Sequence, residues 1–492
     1  MNSAIENLND NKTKQNFFSK KHRETYLVSF ASFTERFSFW GLQATMLLFL
    51  VQSFAQSQNN AYTLVGIFGA LGYAFSLLGG MLSDKLLGVW KSCLIGLTLC
   101  LSGNLVLAVA HDLIYLKLGF AFVLVGAGLF TPSSNNLIRM LYENKPDMKE
   151  FGFLLTCIAG NISGALGPLI YGLFLANNIG QGAFVVSAVF ALGAIMCFVK
   201  NSHRFLQQSE HVARLKLALS VVAAFVVLAF SLLLYTSLIS HLLVLSVIPL
   251  CVLGVFLFKA LDVPELKRVG FLILLTAILM LFYTAVFQIY SSMTMFVANN
   301  VDRSVLGWNI PVPAFASLQC VFFILCAPFV ERVLQFFRAR GIDLSLLVRI
   351  PVGLLIGMVG FLVFAAAESV ANHSGSCGMW WIVGGNFFLG LGEVLMYPPI
   401  LSAIATFSPK RYAGTFMGLF SVALALASYF AGQLAKEITQ GWVGLQQVGS
   451  VMDLGYGRVS LGLMGLVVLV GVVFLAVRRW YGEQYKIVYS AS

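Results

Sequence analysis

Long runs of hydrophobic residues recur along almost the whole chain, separated by short polar or basic stretches. Because a helix needs about 20 apolar residues to cross the hydrocarbon core of a bilayer, each run predicts a transmembrane helix. The runs predict about 14 helices, grouped as six, two and six. The predicted bounds are 26–54, 61–83, 92–110, 113–141, 150–176 and 181–200, then 212–236 and 238–260, then 268–298, 311–336, 344–368, 379–406, 411–436 and 456–481.

This grouping predicts an all-α polytopic membrane protein with two six-helix bundles and two inserted helices. The inserted segments are rich in Leu, Val and Ala and carry almost no polar side chains. We therefore expect them to face lipid and to be dispensable for ligand binding. The predicted parts are residues 1–25 (N-terminal tail), 26–200 (N-terminal bundle), 201–267 (linker with the inserted helices), 268–481 (C-terminal bundle) and 482–492 (C-terminal tail).

Composition excludes a soluble protein, since 59% of the 492 residues are hydrophobic and 10% are charged, with a mean hydropathy of +0.87. The first 25 residues are polar and basic and lack the apolar core of a signal peptide. We expect them to remain as a cytoplasmic tail.

The 31 Lys and Arg residues concentrate in loops on the side of the N-terminus. The exceptions are Arg36 within the membrane and, on the opposite side, Lys117, Arg303, Lys436 and Arg458. This asymmetry is the positive-inside pattern and predicts that both termini are cytoplasmic. The net charge of +11 follows these loops, so the predicted partner is the lipid bilayer and no nucleic acid.

Of the eight cysteines, only Cys377 lies outside the apolar segments. Neither a disulfide framework nor a metal-binding spacing follows from their positions. The chain also has only six histidines, no Gly-x-Ser-x-Gly motif and no paired aspartates at a membrane surface. The sequence therefore predicts no enzyme activity and no cofactor.

Residues 29–46 place Glu35 and Arg36 side by side within a segment long enough to cross the bilayer. An ionised side chain at bilayer depth costs about 2.5–3.5 kcal/mol even on lenient insertion scales. Such a pair is expected to face a bundle interior or a wet cavity, which makes it a candidate functional site. The alternative is a purely structural pair that joins the first helix to a neighbour.

Two corresponding helices of the bundles carry glycine pairs followed by a proline. Gly126 and Gly128 precede Pro132 in the fourth helix, and Gly390 and Gly392 precede Pro398 in the tenth. Interruptions at matching places in two halves point to a transporter site at the repeat interface. The alternative is that these glycines only allow close helix packing.

The loop after the second predicted helix, residues 79–88 (GGMLSDKLLG), has the Gly-x-x-x-Asp-Lys/Arg-x-x-Gly pattern typical of the major facilitator superfamily. Asp84, followed by Lys85, can accept bonds from neighbouring helices and latch one conformer. The alternative is an ordinary turn capped by Asp84.

Residues 35–41 (ERFSFWG) resemble the E-x-x-E-R-F-x-Y-Y-G motif of the proton-dependent oligopeptide transporters, the peptide-transporter branch of that superfamily. The two-helix insertion also occurs in bacterial members, so the chain is identified as a diverged bacterial member. Further resemblances lie at residues 126–142 (helix four of the family), 161–172 (helix five), 282–296 (F-W-x-x-x-x-Q-x-x-S-S of helix seven), and 390–398 with 408–418 (helix ten).

The chain departs from the family pattern at four positions. Ser32 replaces the first motif glutamate, Thr131 replaces the helix-four lysine, Gln43 replaces an arginine, and Phe287 lies where an acidic residue often precedes the glutamine. These departures remove groups that the family uses for proton coupling and for holding a peptide carboxylate.

The resemblance implies a site at the interface of the two bundles. Glu35, Arg36 and Glu393 are the implied proton-coupling residues, and Asp84 with Lys85 the implied latch. Phe282 is expected to add an aromatic wall. The implied substrate-binding residues are Arg36, Phe39, Trp40, Gln43, Tyr73, Thr131, Asn161, Tyr283, Gln288, Gln319 and Glu393.

The resemblance further implies a monomeric secondary active transporter in the bacterial inner membrane. It would carry di- and tripeptides or peptide-like small molecules with protons by alternating access, using the proton gradient and no cofactor. One alternative is a diverged importer or exporter of a non-peptide metabolite or amine, with altered or absent proton coupling. A receptor that binds a solute without moving it also fits the sequence.

Overall fold

The computed structural model describes residues 23–142, 146–202, 215–237, 261–342, 346–408 and 413–440, together with Phe205, Leu344 and Gly465. The predicted helices 238–260 and 456–481 and most of both tails lie outside the described residues.

The N-terminal bundle contains six helices. In chain order they are α1 (Arg23–Ser53), α2 (Gln58–Leu82), α3 (Val89–Ala108), α4 (Leu113–Leu141), α5 (Pro146–Ala176) and α6 (Gln181–Lys200). A π-helical turn, Ser83–Leu87, ends α2. Helix α7 (Leu215–Leu234) follows and corresponds to the first inserted helix.

The described part of the C-terminal bundle contains α8 (Val263–Val286), α9 (Ser292–Asn300), α10 (Ala314–Ala339), α11 (Leu346–Ser374), α12 (Trp380–Phe407) and α13 (Ala413–Gln440). Between helices, β1 (Val301–Asp302) pairs in parallel with β4 (Cys377–Gly378). The strands β2 (Ser304–Val305) and β3 (Trp308–Asn309) form an antiparallel hairpin.

Eleven helices in the described part of the chain are long and apolar enough to cross a membrane. Helix α1, which carries Glu35 and Arg36, is 31 residues long and so also has the length to cross a membrane. The predicted bounds agree with the observed helices to within about two turns, and the predicted all-α membrane fold is confirmed.

One predicted helix is not continuous. The sequence predicts a single span at 268–298, but the structure has a 3-10 turn at Phe287–Tyr290 and a non-helical Ser291 (φ −128, ψ −104). The Gln288 side chain stabilises this break, since its Oε1 accepts from both the Ser291 and Ser292 hydroxyls. Its Nε2 donates to the Ala431 carbonyl of α13 at 3.1 Å.

Helix α7 packs on the N-terminal bundle along one face. Its buried residues are mostly small and apolar and recur at helical spacing, from Ala218 to Leu233. The ring of Phe225 lies 6.0 Å from that of Phe75 on α2. Several of its other side chains, such as Val227 and Leu228, are exposed, as expected for a lipid-facing insertion.

The glycine pairs in the two bundles form matching close contacts. A methyl group on Gly126 would lie 2.7 Å from the carbonyl oxygen of Gly96, and one on Gly392 would lie 2.6 Å from that of Gly353. The α3–α4 contact of the first half therefore corresponds to the α11–α12 contact of the second. At these glycines the structure shows close helix packing at matching contacts of the two halves.

The two halves meet tightly at the helix ends opposite the beginning of α1, which we call the outward ends. There α2 crosses α13, and a methyl group on Gly66 would lie 3.0 Å from Gly432 Cα. Close by, Gly69 packs directly against the Ser428 side chain. Helices α5 and α10 meet nearby, with Gly172 against Pro311 and Pro313. These contacts close the outward side.

Helices α5 and α10 separate on the other side. Every α5 residue from 153 to 162 is at least partly exposed, whereas Ser163, Gly164, Gly167 and Pro168 are buried. In the second half of α10 the buried residues form one stripe, Cys326, Val330 and Leu334, that clusters with Val394 of α12. A cleft therefore opens between the two halves toward the side where α1 begins.

We expect Gly432→Val to open the outward seam, because a side chain there meets the Tyr62 carbonyl oxygen at 2.6 Å. Overpacking costs about 1–3 kcal/mol, and here it falls only on the conformer with the seam closed. The spin–spin distance between labels at exposed Asn60 and Glu437 should lengthen. The matched control is Gly193→Val on α6, where no atom lies within 4 Å of an added methyl group. An unchanged distance in Gly432→Val would contradict the proposed seam.

Candidate functional site

A buried ion pair on α1 forms the N-terminal side of the site. Glu35 is 2% exposed, and its Oε2 lies 3.4 Å from Arg36 Nε. The Thr131 hydroxyl of α4 donates to the same oxygen at 3.5 Å. The second oxygen, Oε1, has no hydrogen-bond partner among the described residues.

The two members of this pair differ in exposure. The Arg36 side chain is 31% exposed, whereas that of Glu35 is 1% exposed. The Glu35 carboxylate is therefore enclosed by the bundle, while part of the Arg36 side chain remains accessible. An arginine in this position keeps donors free for a second, anionic partner.

A second acid, Glu393 of α12, forms the C-terminal side of the site. The Tyr283 hydroxyl of α8 donates to its Oε1 at 2.5 Å. The Gln319 side-chain amide of α10 donates to its Oε2 at 2.8 Å. Both oxygens thus accept from neutral donors, and no cation pairs with Glu393 among the described residues. Three helices of one half converge on this carboxylate.

Aromatic side chains from the two halves meet between the two acids. Tyr73 of α2 and Phe287 of the 3-10 turn have ring centroids 6.1 Å apart. Trp40 of α1 stacks with Tyr290 of the same turn, also at 6.1 Å. The charges of Arg36 and Glu393 both interact with the Tyr73 hydroxyl. The structure therefore brings the two charged groups to one aromatic cleft.

Three of these aromatic residues were not predicted as site residues. The resemblance marks Phe287 only as the replacement of an acidic residue, and it assigns no role to Tyr290 or Tyr397. The rings of Phe287 and Tyr290 lie 6.4 Å apart. The ring of Tyr397 lies 5.9 Å from that of Tyr283. Tyr290 lies two residues after Gln288 in the helix-seven segment, and Tyr397 directly precedes Pro398. Both therefore lie within segments that resemble the family, and this is the signal that could have identified them.

Two predicted aromatic walls lie behind the cleft surface. Phe39 is 5% exposed, and its ring stacks on that of Phe68 at 5.4 Å. Phe282 is 1% exposed and packs against Gly357 of α11. Both rings support the wall from within the bundles.

Two predicted glutamines lie away from the cleft. Gln43 is 2% exposed and lies at the outward seam, where its Nε2 is 3.0 Å from a methyl group placed on Gly69. Both ends of Gln288 are used in the helix break described above. In this conformation the Gln288 side chain joins two helices, whereas Gln43 is buried at the seam and its Oε1 has no hydrogen-bond partner among the described residues.

Asn161 lies on the partly exposed stretch of α5 that borders the opening. Its Nδ2 donates to the Cys157 carbonyl one turn earlier at 3.0 Å. A methyl group on neighbouring Gly160 would have no atom within 4 Å. The Asn161 oxygen is therefore placed beside open space rather than inside a packed contact.

Asp84 and Lys85 lie in the exposed π-helical turn at the end of α2. The Asp84 carboxylate accepts from Asn136 Nδ2 of α4 at 3.2 Å, and Arg139 Nε donates to Asn136 Oδ1 at 2.9 Å. These residues line a cavity of about 420 Å³ with Gly80, Ser83 and Pro132. In this conformation Asp84 joins α2 to α4 within one half.

Comparison with known proteins identifies relatives of this chain. The dipeptide and tripeptide permease A of Proteus mirabilis is 28% identical over 430 residues, which cover 85% of this chain and 86% of the relative. The dipeptide and tripeptide permease B of Shigella dysenteriae is 27% identical over 477 residues, 93% of this chain and 95% of the relative.

Solved structures share the fold. A peptide transporter POT in complex with alafosfalin superposes with a TM-score of 0.83 and 21% identity, over 96% of this chain and 97% of that one. A POT family transporter in complex with 5-aminolevulinic acid gives a TM-score of 0.79 and 20% identity, over 92% and 96%.

The family model described as "POT family" (PTR2) matches residues 90–451, most of the chain. This match covers the fourth, fifth, seventh and tenth helix segments, whereas the motif at residues 35–41 lies before it and adds to it independently. The protein is a multi-pass membrane protein that belongs to the POT family.

Proposed function

We propose that this protein is a secondary active transporter that moves small peptides or peptide-like molecules across the bacterial inner membrane. The observation that carries the proposal is the placement of Arg36 and Glu393, one from each half, on a single aromatic cleft that is closed outward. The permease relatives and the POT fold support the same conclusion.

The charges of the cleft suit a zwitterion. Arg36 offers guanidinium donors to a ligand carboxylate, and Glu393 offers a carboxylate to a ligand ammonium group. Trp40, Tyr73 and Phe287 supply apolar walls between them that can accept varied side chains. A mostly apolar pocket with a few placed polar groups is the usual form of a small-molecule site.

Alternating access follows from the contacts between the halves. In this conformation the outward ends are closed by small residues on α2 and α13, while α5 and α10 separate on the other side. Rocking the halves about the aromatic contacts would open the closed side and close the open side around a fixed site.

The hydrogen bonds support different roles for the two acids. Both oxygens of Glu393 already accept from donors, which suits an ionised counter-charge for a ligand amine. Glu35 has one buried oxygen with no described partner, so this oxygen can receive a proton. We therefore assign proton coupling to Glu35 with Arg36, with the proton gradient as the driving force.

An amine-bearing metabolite is the second candidate substrate. Glu393 faces the cleft with no described cation beside it, and Thr131 is the neutral partner of Glu35. These features also suit a cationic ligand that lacks a carboxylate. Such a ligand would need Glu393 and would be indifferent to the charge of Arg36.

Uptake into proteoliposomes tests the function directly. We expect radiolabelled dialanine to accumulate when the interior is alkaline and to exchange with internal dialanine when the pH is equal on both sides. Glu393→Gln should lose affinity for dialanine in both assays, because the counter-charge for the amine is gone. Absence of exchange for dipeptides would contradict peptide transport, and uptake that ignores the pH gradient would contradict proton coupling.

Glu35 and Arg36 should act as a unit in that assay. Removing Arg36 leaves the buried Glu35 carboxylate without its cation, a loss that costs about 3–5 kcal/mol in a fully buried pair, and removing Glu35 leaves the partly exposed Arg36 without its anion. We expect Glu35→Gln and Arg36→Ala each to abolish accumulation, and the double variant to be hardly worse than either. Strictly additive losses in this cycle would show that the residues act independently.

We further propose that both termini are cytoplasmic and that a monomer suffices, since the cleft is formed by the halves of one chain. A cysteine placed at residue 12 or 206 should resist an impermeant thiol reagent added outside whole cells. A cysteine at Leu306, the fully exposed tip of the β2–β3 hairpin, should react under the same conditions. The reverse pattern would invert the topology.

A further inference from the structure

We infer that Tyr283 is a positioning residue that sets the preference of the transporter for ligands with a free amino group. The inference rests on the proposed function and extends it to a residue that acts through Glu393. The juxtaposition that carries it is the 2.5 Å hydrogen bond from the Tyr283 hydroxyl to Glu393 Oε1.

The acceptor of this bond is a carboxylate, so the bond is charge-assisted when Glu393 is ionised. Bonds of about 2.5–2.7 Å between a hydroxyl and an oxygen are typical of a charged acceptor. A carboxylate has about four lone-pair positions. Tyr283 and Gln319 occupy one on each oxygen, which leaves acceptor capacity on both oxygens for the N–H groups of a ligand.

The ring of Tyr283 is itself held in place. It packs at 5.4 Å from the Phe287 ring and at 5.9 Å from the rings of Tyr397 and Phe282. Tyr283 is 7% exposed, so its hydroxyl has little freedom to turn elsewhere. The direction in which Glu393 presents its free lone pairs is therefore fixed by α8 and α10 together.

The same ring connects Glu393 to the opposite half. Tyr283 contacts Phe287, and Phe287 contacts Tyr73 of α2. A displacement of α8 relative to α2 would therefore move the donor of Glu393. Amine recognition by Glu393 is in this way tied to the arrangement of the halves.

Tyr283→Phe removes only the hydroxyl and keeps the ring contacts. We expect the KM for dialanine to rise about tenfold, because Glu393 loses the donor that orients its carboxylate toward the ligand ammonium group, an effect on the scale of one hydrogen bond to a charged group. Binding of N-acetyl-dialanine, which has no ammonium group, should be unchanged, so the preference for the free amine should fall about tenfold. Binding is measured by competition with labelled dialanine and by thermal shift of the purified full chain.

Two variants separate positioning from other roles. Tyr171→Phe removes another buried tyrosine hydroxyl, which bonds to Ser187 within the N-terminal bundle at 2.7 Å, and it should leave the preference unchanged. In a Glu393→Gln background, Tyr283→Phe should have no further effect on the preference, because Tyr283 acts through that carboxylate.

Each outcome decides the inference. An equal loss for both ligands would show that Tyr283 contributes only to stability or to a wall, and an unchanged preference would overturn its role altogether. Both of these outcomes leave peptide transport standing. If the wild-type protein exchanges no dipeptide, the proposed function itself fails, whatever Tyr283→Phe does.

Discussion

An ionised carboxylate inside a membrane protein needs partners that compensate its charge. The site contains two such carboxylates, Glu35 and Glu393, and each is compensated in a different way. At bilayer depth the cost of one charge is about 2.5–3.5 kcal/mol even on lenient scales. Glu35 is compensated by a neighbouring cation, Arg36, with a weak hydroxyl contact from Thr131. Glu393 is compensated by two neutral donors, Tyr283 and Gln319. The first solution leaves no net charge, whereas the second leaves a negative charge that faces the cleft.

The aromatic contacts between the two acids have a mechanical consequence. Phe287 and Tyr290 lie in the 3-10 turn where the helix breaks, and their rings meet Tyr73 and Trp40 of the other half. A broken helix can change direction at the turn without losing the hydrogen bonds of α8 or α9. The turn is held by Gln288, whose two ends bind within the turn and to α13. The aromatic contacts between the halves thus lie at a point that can bend.

Much of the fold could be predicted from the sequence, because hydropathy reports directly on the length of chain that crosses a bilayer. The break at Phe287–Tyr290 could not be predicted in this way. It is stabilised by hydrogen bonds of the Gln288 side chain to Ser291, Ser292 and Ala431, and Ala431 is distant in sequence. The buried position of Gln43 has a similar cause. Which side of α1 faces the seam depends on where α2 and α13 lie, and a single helix does not contain that information. Residues whose role is local, such as Glu35 beside Arg36, were predictable.

The position of Thr131 shows how the departures from the family pattern fit together. Its hydroxyl reaches the same Glu35 oxygen that Arg36 contacts, so a second cation there would compete with Arg36 for one carboxylate. With threonine at position 131, Arg36 is the only cation beside Glu35 in the part of the chain that the structure describes. Its partly exposed side chain can therefore exchange Glu35 for the carboxylate of a ligand. When Arg36 moves away, the buried Glu35 carboxylate keeps one hydrogen-bond donor among the described residues, the Thr131 hydroxyl. Protonation of Glu35 then removes an uncompensated buried charge. Under the proposed function, ligand capture by Arg36 and proton uptake by Glu35 would favour one another, and coupling would need neither the lysine nor the additional glutamate that this chain lacks.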